Sequence, residues 1–168
     1  MTEKIANTGR SLTLNSFIIS LLLLTFLSLL YGCATTPDIR PSTQLSPAIH
    51  LALSLQGAPY HYGKASPEEG FDCSGFVQYV YKKQGIKLPR TVKEMASYLP
   101  QIPKDDIISG DLVFFNTDEH SYSHVGIYID NDKFIHAPSQ KTGKVLVSSL
   151  NNKYWHKHYV GARRPRRP

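Results

Sequence analysis

Near residue 100 the hydrophobic pattern of this chain changes period, and that change limits the fold more than any other feature. Before it, apolar residues recur at helical spacing: Phe76, Val77, Val80 and Tyr81 share one face of a segment running from Cys73 to Gln84, with Gly85 ending it. An earlier helix opens with Ser46 as N-cap and Pro47 in the first turn, and Gly57 closes it. Thr91 and Glu94 have capping-box spacing for a third, short helix through Leu99. After it, "DLVFF" (111–115), "HVGIYI" (124–129), "KFIHA" (133–137), "VLVS" (145–148) and "HYVGA" (158–162) read as five short strands. Helices first and strands afterwards predict an α+β domain, with N-terminal helices packed on a five-stranded antiparallel sheet. No internal repeat is visible.

The 168 residues suffice for one domain once the N-terminus is set aside. Lys4 and Arg10 precede an apolar run at 17–30, the layout of a secretory signal; a single retained membrane anchor is the competing reading. "LYGC" (30–33) resembles the lipobox of bacterial lipoproteins, in which Cys33 becomes the lipid-modified N-terminal residue, although Tyr31 is unusual in that pattern. "ATTPDIRPSTQLS" (34–46) has no apolar period and reads as a tether, roughly 40 Å when extended. The expected organisation is a signal peptide at 1–32, a lipidated N-terminus and tether at 33–46, a folded domain at 47–164 and a basic tail at 165–168. "RRPRRP" (163–168) reads as a solvated basic end, with contact to anionic wall or lipid as a second reading.

The formal net charge is +6, and +5 without residues 1–32, which remove Glu3, Lys4 and Arg10. That excess suits a partner carrying carboxylates or phosphates, such as cell wall or an anionic membrane surface; nucleic acid is not the expected partner of an exported chain. Of the two cysteines, lipidation of Cys33 would leave Cys73 as the sole thiol, unable to form an internal disulfide.

Cys73 falls in the first turn of its helix with Asp72 as the expected N-cap, where unpaired N–H groups and the positive dipole end favour a thiolate. Ser74 and Gly75 are small, which would let a substrate carbonyl approach the backbone, with the Cys73 amide as oxyanion donor. In "HVGIYI" the alternation separates His124, Gly126 and Tyr128 from Val125, Ile127 and Ile129. A three-residue loop at 130–132 would pair Ile127 with Ile135 and Gly126 with His136, making His124 and His136 diagonal neighbours on one face. A two-residue loop would put them on opposite faces; stacking of Ile127 on Ile135 favours the former. Cysteine, histidine and a polar group orienting that histidine form a nucleophile, base and orienter set. His120 and His124 have metal-like spacing, but a strand spreads them apart, and neither a metal nor an organic cofactor is expected. His156 and His158, beside Tyr154 and Trp155, read as surface or packing residues at the end of the sheet.

"DCSGFV" (72–77), "LPR" (88–90), "GDLVFF" (110–115), "HVGIYI" (124–129) and "FIHA" (134–137) together resemble the NlpC-type (NlpC and p-sixty) cysteine peptidases over nearly all of residues 46–164. The resemblance implies a papain-like fold and hydrolysis of peptide bonds in bacterial cell-wall stem peptides. It assigns Cys73 as nucleophile, His124 as general base and His136 as the residue orienting it. Tyr60 matches a tyrosine lining the active site and helping the oxyanion, with Tyr62 the competing candidate; Ser74 matches without a separate catalytic role. The C-terminal "SSLNNKYWHKHYVGARR" is similar to that of small murein endopeptidase lipoproteins. This implies peptidoglycan as substrate; a monomer is expected, and Ala34 after the lipid cysteine fits an outer membrane anchor facing the periplasm. A papain-like acyltransferase or amidase, and a non-catalytic wall-binding lipoprotein, stand as alternatives; the Cys73, His124 and His136 set argues against the last.

Overall fold

The structure, a computed structural model, describes residues 46–166. The expected signal segment, the lipidation site Cys33, the tether up to residue 45 and the last two tail residues lie outside the described residues. Among the described residues no helix is long and apolar enough to cross a membrane.

Helix α1 spans Pro47–Ser54; the Ser46 hydroxyl accepts from the Ile49 N–H, as an N-cap should. The helix stops short of Gly57, whose N–H donates instead to the Val145 carbonyl. Two short strands, β1 (Ala65–Ser66) and β2 (Gly70–Phe71), form a small antiparallel ribbon leading into α2, Cys73–Lys83. At the far end of α2, Gly85 takes φ +77° and donates to Lys82, while Ile86 donates to Tyr81. These two bonds make a Schellman turn, which needs a left-handed residue. Helix α3, Val92–Tyr98, starts with both halves of the Thr91/Glu94 capping box in place.

The remaining chain builds one sheet of six strands, where sequence periodicity indicated five. β3 is Gln101–Ile102, β4 Leu112–Phe115, β5 His124–Tyr128, β6 Lys133–His136, β7 Leu146–Ser149 and β8 Tyr159–Arg163, in the spatial order β3-β8-β4-β5-β6-β7 with every pair antiparallel. The added strand β3 is two residues long, too short for an alternation to register. Between β7 and β8 lies a further unexpected element, helix α4, Lys153–His158, capped by the Asn152 side chain.

Alternation along the strands divides the apolar side chains between two cores. On one face Leu112, Phe114, Val125, Ile127 and Ile135 pack with Ile49, Phe76, Val77, Val80 and Met95 of the three N-terminal helices. On the other, Val113, Phe115, Phe134 and Ala162 form a smaller cluster under Trp155 and Tyr159. Phe71, Phe76, Phe114, Phe115, Phe134 and Ile127 are among the fully buried core side chains, each contributing roughly 1.5–3 kcal/mol of transfer free energy before entropy is set against it.

The expectation of a freely solvated "RRPRRP" end fails for its first two residues. Arg163 is buried and donates to the carbonyls of Ala96 and Ala162 and to the Tyr122 hydroxyl. Arg164 grips the buried Asp111 carboxylate bidentately, at 2.8 and 2.7 Å. These partners lie 41 to 67 residues away along the chain, apart from Ala162, so local charge density gives no hint of them.

Candidate active site

A cleft of about 670 Å³ opens where the N-terminus of α2 meets the start of β5, and Tyr60, Cys73, Ser74, Arg90 and His124 line it. Asp72 organises its floor. The buried carboxylate caps α2 by accepting from Gly75 at 2.6 Å, accepts from the Gly63 N–H at 2.9 Å, and receives both Arg90 nitrogens at 3.0 and 2.6 Å. Arg90 also donates to the Ser74 hydroxyl at 2.8 Å. Ser74 is thereby committed to the Asp72–Arg90 pair while still facing the cleft. The hydrogen bond to Asp72 is the main cause holding the Arg90 guanidinium above its ordinary pKa, so the cation is permanent.

Gly75 is small for a different reason from the one its sequence position suggests. A Cβ there would lie 2.9 Å from Asp72 Oδ1, 3.0 Å from Ala65 Cβ and closer still to the Lys64 carbonyl oxygen. The Lys64 carbonyl and the Ala65 methyl occupy that side of the helix.

Cys73 is half-buried and is the only cysteine among the described residues. Burial, aided by the Asp72 carboxylate, pushes its thiol up to about 11, against the opposing pull of the Val125, Ser74 and Cys73 backbone N–H groups. Backbone N–H donation, part of it from the start of α2, thus favours the thiolate, and burial outweighs it in favour of the neutral thiol. His124 is buried, and loss of solvation lowers it to about 4; His136, also buried, is held well below the ordinary range by burial and by its histidine neighbour. Both rings are neutral at pH 7.

The β5–β6 hairpin has the register that the three-residue loop requires. Ile127 pairs with Ile135, Ile129 N–H donates to the Lys133 carbonyl, and Asn131 and Asp132 turn the chain with positive φ. His124 and His136 accordingly meet on one face, with Nε2 of His124 2.7 Å from Nδ1 of His136. Since that contact occupies Nε2, the nitrogen of His124 left for the cleft is Nδ1. His136 Nε2 in turn lies 2.9 Å from the Ser148 hydroxyl on β7.

Trp155, from the unexpected α4, stacks on His124 at 5.3 Å and meets His136 edge-on at 4.7 Å between ring centroids. It closes the back of the histidine pair against water. Sequence periodicity placed Trp155 near a strand end and missed this contact, as it missed Ser148 and the Asp72–Arg90 clamp. The quoted "DCS" and "LPR" motifs were the available signal for the clamp.

Tyr60 and Tyr62 both border the cleft but differ in setting. Tyr60 is pinned between Gly143 and β2 by its N–H bond to the Gly143 carbonyl and a bridge to Phe71, and burial raises its phenol pKa with Cys73 as the next cause. Tyr62 is 86% exposed on the rim. His120 is also on the exposed cleft wall, and no group of three metal-ligating side chains occurs among the described residues.

The pattern of the NlpC/P60 family matches residues 57–164. The murein DD-endopeptidase MepH of Escherichia coli (strain K12) is 45% identical over 126 residues, covering 72% of this chain, which spans just under half of that protein, 46%. The probable endopeptidase NlpC of the same organism is 42% identical over 153 residues, covering 86% of this chain and 97% of that protein. Among solved structures, an NLP/P60-family protein described as similar to lipoprotein, from Staphylococcus aureus, superposes with a TM-score of 0.67 at 36% identity, covering 73% of this chain and 41% of that one. Motif order, fold and cleft thus agree with more than half the chain's length of family match: this chain belongs to the NlpC/P60 family.

Proposed function

We propose that this protein is a cysteine endopeptidase that hydrolyses peptide bonds in peptidoglycan stem peptides or their crosslinks. The observation that carries the reading is the placement of Cys73 on a cleft with a buried, neutral His124 whose second nitrogen is held by His136. The name of the MepH relative, a murein endopeptidase, supplies the substrate class, and that of the NlpC relative the endopeptidase activity.

His124 Nδ1 takes the Cys73 proton as the sulfur attacks the scissile carbonyl. The Cys73 amide and the Tyr60 hydroxyl donate to the developing oxyanion. The His124 imidazolium then gives its proton to the leaving amine, breaking the C–N bond and leaving a thioester. Water, deprotonated by His124, attacks that thioester and the carboxylate departs with Cys73 restored. His136 keeps the His124 ring oriented throughout, and Ser74 keeps the Asp72–Arg90 clamp against the cleft floor. Lipidation at Cys33 would tether the domain to the outer membrane, facing its polymer in the periplasm, as a monomer.

The test is mass spectrometry of diaminopimelate-type peptidoglycan fragments incubated with wild type and with Cys73→Ala. Crosslinked dimers converted to monomers by wild type alone identify a crosslink endopeptidase; stems shortened to dipeptides identify a stem endopeptidase. Equal product from the Cys73→Ala protein rules out the mechanism, and no product from either protein rules against hydrolysis.

A further inference from the structure

We infer that Ser148 is a positioning residue: its hydroxyl accepts the His136 Nε2 proton and thereby holds both histidines as Nε2–H tautomers, leaving the His124 Nδ1 lone pair free toward Cys73. The inference rests on the reading of His124 as general base. The chain of contacts, His124 Nε2 to His136 Nδ1 at 2.7 Å and His136 Nε2 to Ser148 Oγ at 2.9 Å, admits two proton arrangements. In one, each Nε2 donates onward, ending on Ser148. In the other, Ser148 donates to His136, His136 Nδ1 donates to His124, and His124 presents an N–H to the cleft.

The groups at the two ends of the chain choose between them. In the second arrangement the His124 nitrogen left for the cleft carries a proton, so the cleft that Cys73 also lines holds no imidazole base for its thiol. In the first, the Cys73 S–H has an imidazole lone pair to donate to. Ser148 is half-buried at its end of the line, so its own proton can turn to water after it accepts. His136 is fully buried and, among the described residues, Nε2 has no other partner, so removing the hydroxyl leaves that nitrogen unsatisfied in either tautomer and frees the proton to sit on Nδ1. Ser148 sits on β7 opposite Phe134, one strand from the histidine it serves, which fixes its distance by sheet register.

The test uses the full chain purified in detergent, as wild type, Ser148→Ala and Ser148→Thr. Nitrogen-15 histidine spectra identify which ring nitrogens carry protons, and hydrolysis of peptidoglycan fragments gives kcat and KM. Wild type should show Nε2–H on both rings. Ser148→Ala should show His136 in mixed tautomers with kcat reduced about 10-fold and KM unchanged, by analogy with other groups that orient a working histidine from behind. Ser148→Thr, which keeps the hydroxyl and suits a strand, should restore both readouts. An unchanged tautomer in Ser148→Ala, a wild-type His136 protonated on Nδ1, or unchanged kcat overturns the inference. A rate loss without a tautomer change marks a merely structural role and overturns it equally. If wild type proves inactive, the hydrolase reading fails while the spectra still decide the tautomer.

Discussion

Replacing Gly75 by alanine separates two explanations for a small residue beside the nucleophile. If Gly75 were small to admit substrate, Gly75→Ala would raise KM and leave stability alone. The geometry points elsewhere, since the new methyl would press on the Lys64 carbonyl, on Asp72 Oδ1 at 2.9 Å and on Ala65 at 3.0 Å. The Lys64 carbonyl cannot retreat freely because it accepts the Asp72 N–H at 3.0 Å, and Asp72 is fixed by Arg90 and Gly63. Overpacking against backbone costs about 1–3 kcal/mol, and pushing Asp72 off the Gly75 N–H loses an N-cap worth about 1 kcal/mol. The sum, roughly 3 kcal/mol, corresponds to a fall in melting temperature of about 10 °C for a domain of this size. Because Cys73 begins the same helical turn, a shift of about 1 Å should also lower kcat about 100-fold.

Gly85→Ala is the matched control at the other end of α2. Nothing lies within 4 Å of its added methyl, and the cost is confined to the positive φ of +77°, about 1 kcal/mol. Differential scanning calorimetry and fragment hydrolysis should therefore find a small loss of stability and unchanged kcat for Gly85→Ala. A Gly75→Ala protein that melts like wild type, with only KM altered, would refute the backbone-crowding argument.

Two further perturbations concern the histidine pair. Burial depresses both pKa values in the folded state, so between about pH 6.5 and 4 the unfolded chain binds more protons than the folded one. The stabilising preference is complete above pH 6.5 and is lost as pH falls toward 4, at up to about 1.4 kcal/mol per pH unit for each ring; urea midpoints at pH 7 and 5 test this, and equal midpoints would contradict it. Trp155→Ala should let water reach the pair and raise His124 from about 4 toward the ordinary value. Because the base must be neutral, the acid limb of the kcat/KM profile should move to higher pH, and an unmoved limb would show that Trp155 does not set the burial.

What could be read from the sequence was local in origin. Cys73, its Asp72 cap, the Thr91/Glu94 box and the Gly85 stop each depend on residues within a few positions, and all appear as expected. The meeting of His124 and His136 was also legible, because Ile127 and Ile135 share a face only in the register that brings the histidines together. Trp155 was not, since a six-residue helix offers less than two turns of pattern and its meaning lies in contacts with two distant strands. Arg163 and Arg164 looked like a charged tail for the same reason: Asp111 and Ala96 enter their surroundings only after the sheet closes. The crowding around Gly75 was not legible either, because it comes from residues 64–65, which carry no motif.

The position of β8 has a consequence for the order in which the chain becomes competent. It pairs with β3 on one side and β4 on the other, so the last strand of the described residues fills an interior place, between the edge strand β3 and β4. Until residues 163 and 164 have emerged, β3 has no strand neighbour and β4 keeps an open edge, while Asp111 lacks the Arg164 cation. A growing chain therefore carries its nucleophile long before it has a closed scaffold to hold it, and the finished strand acts as the keystone that ends this inert period.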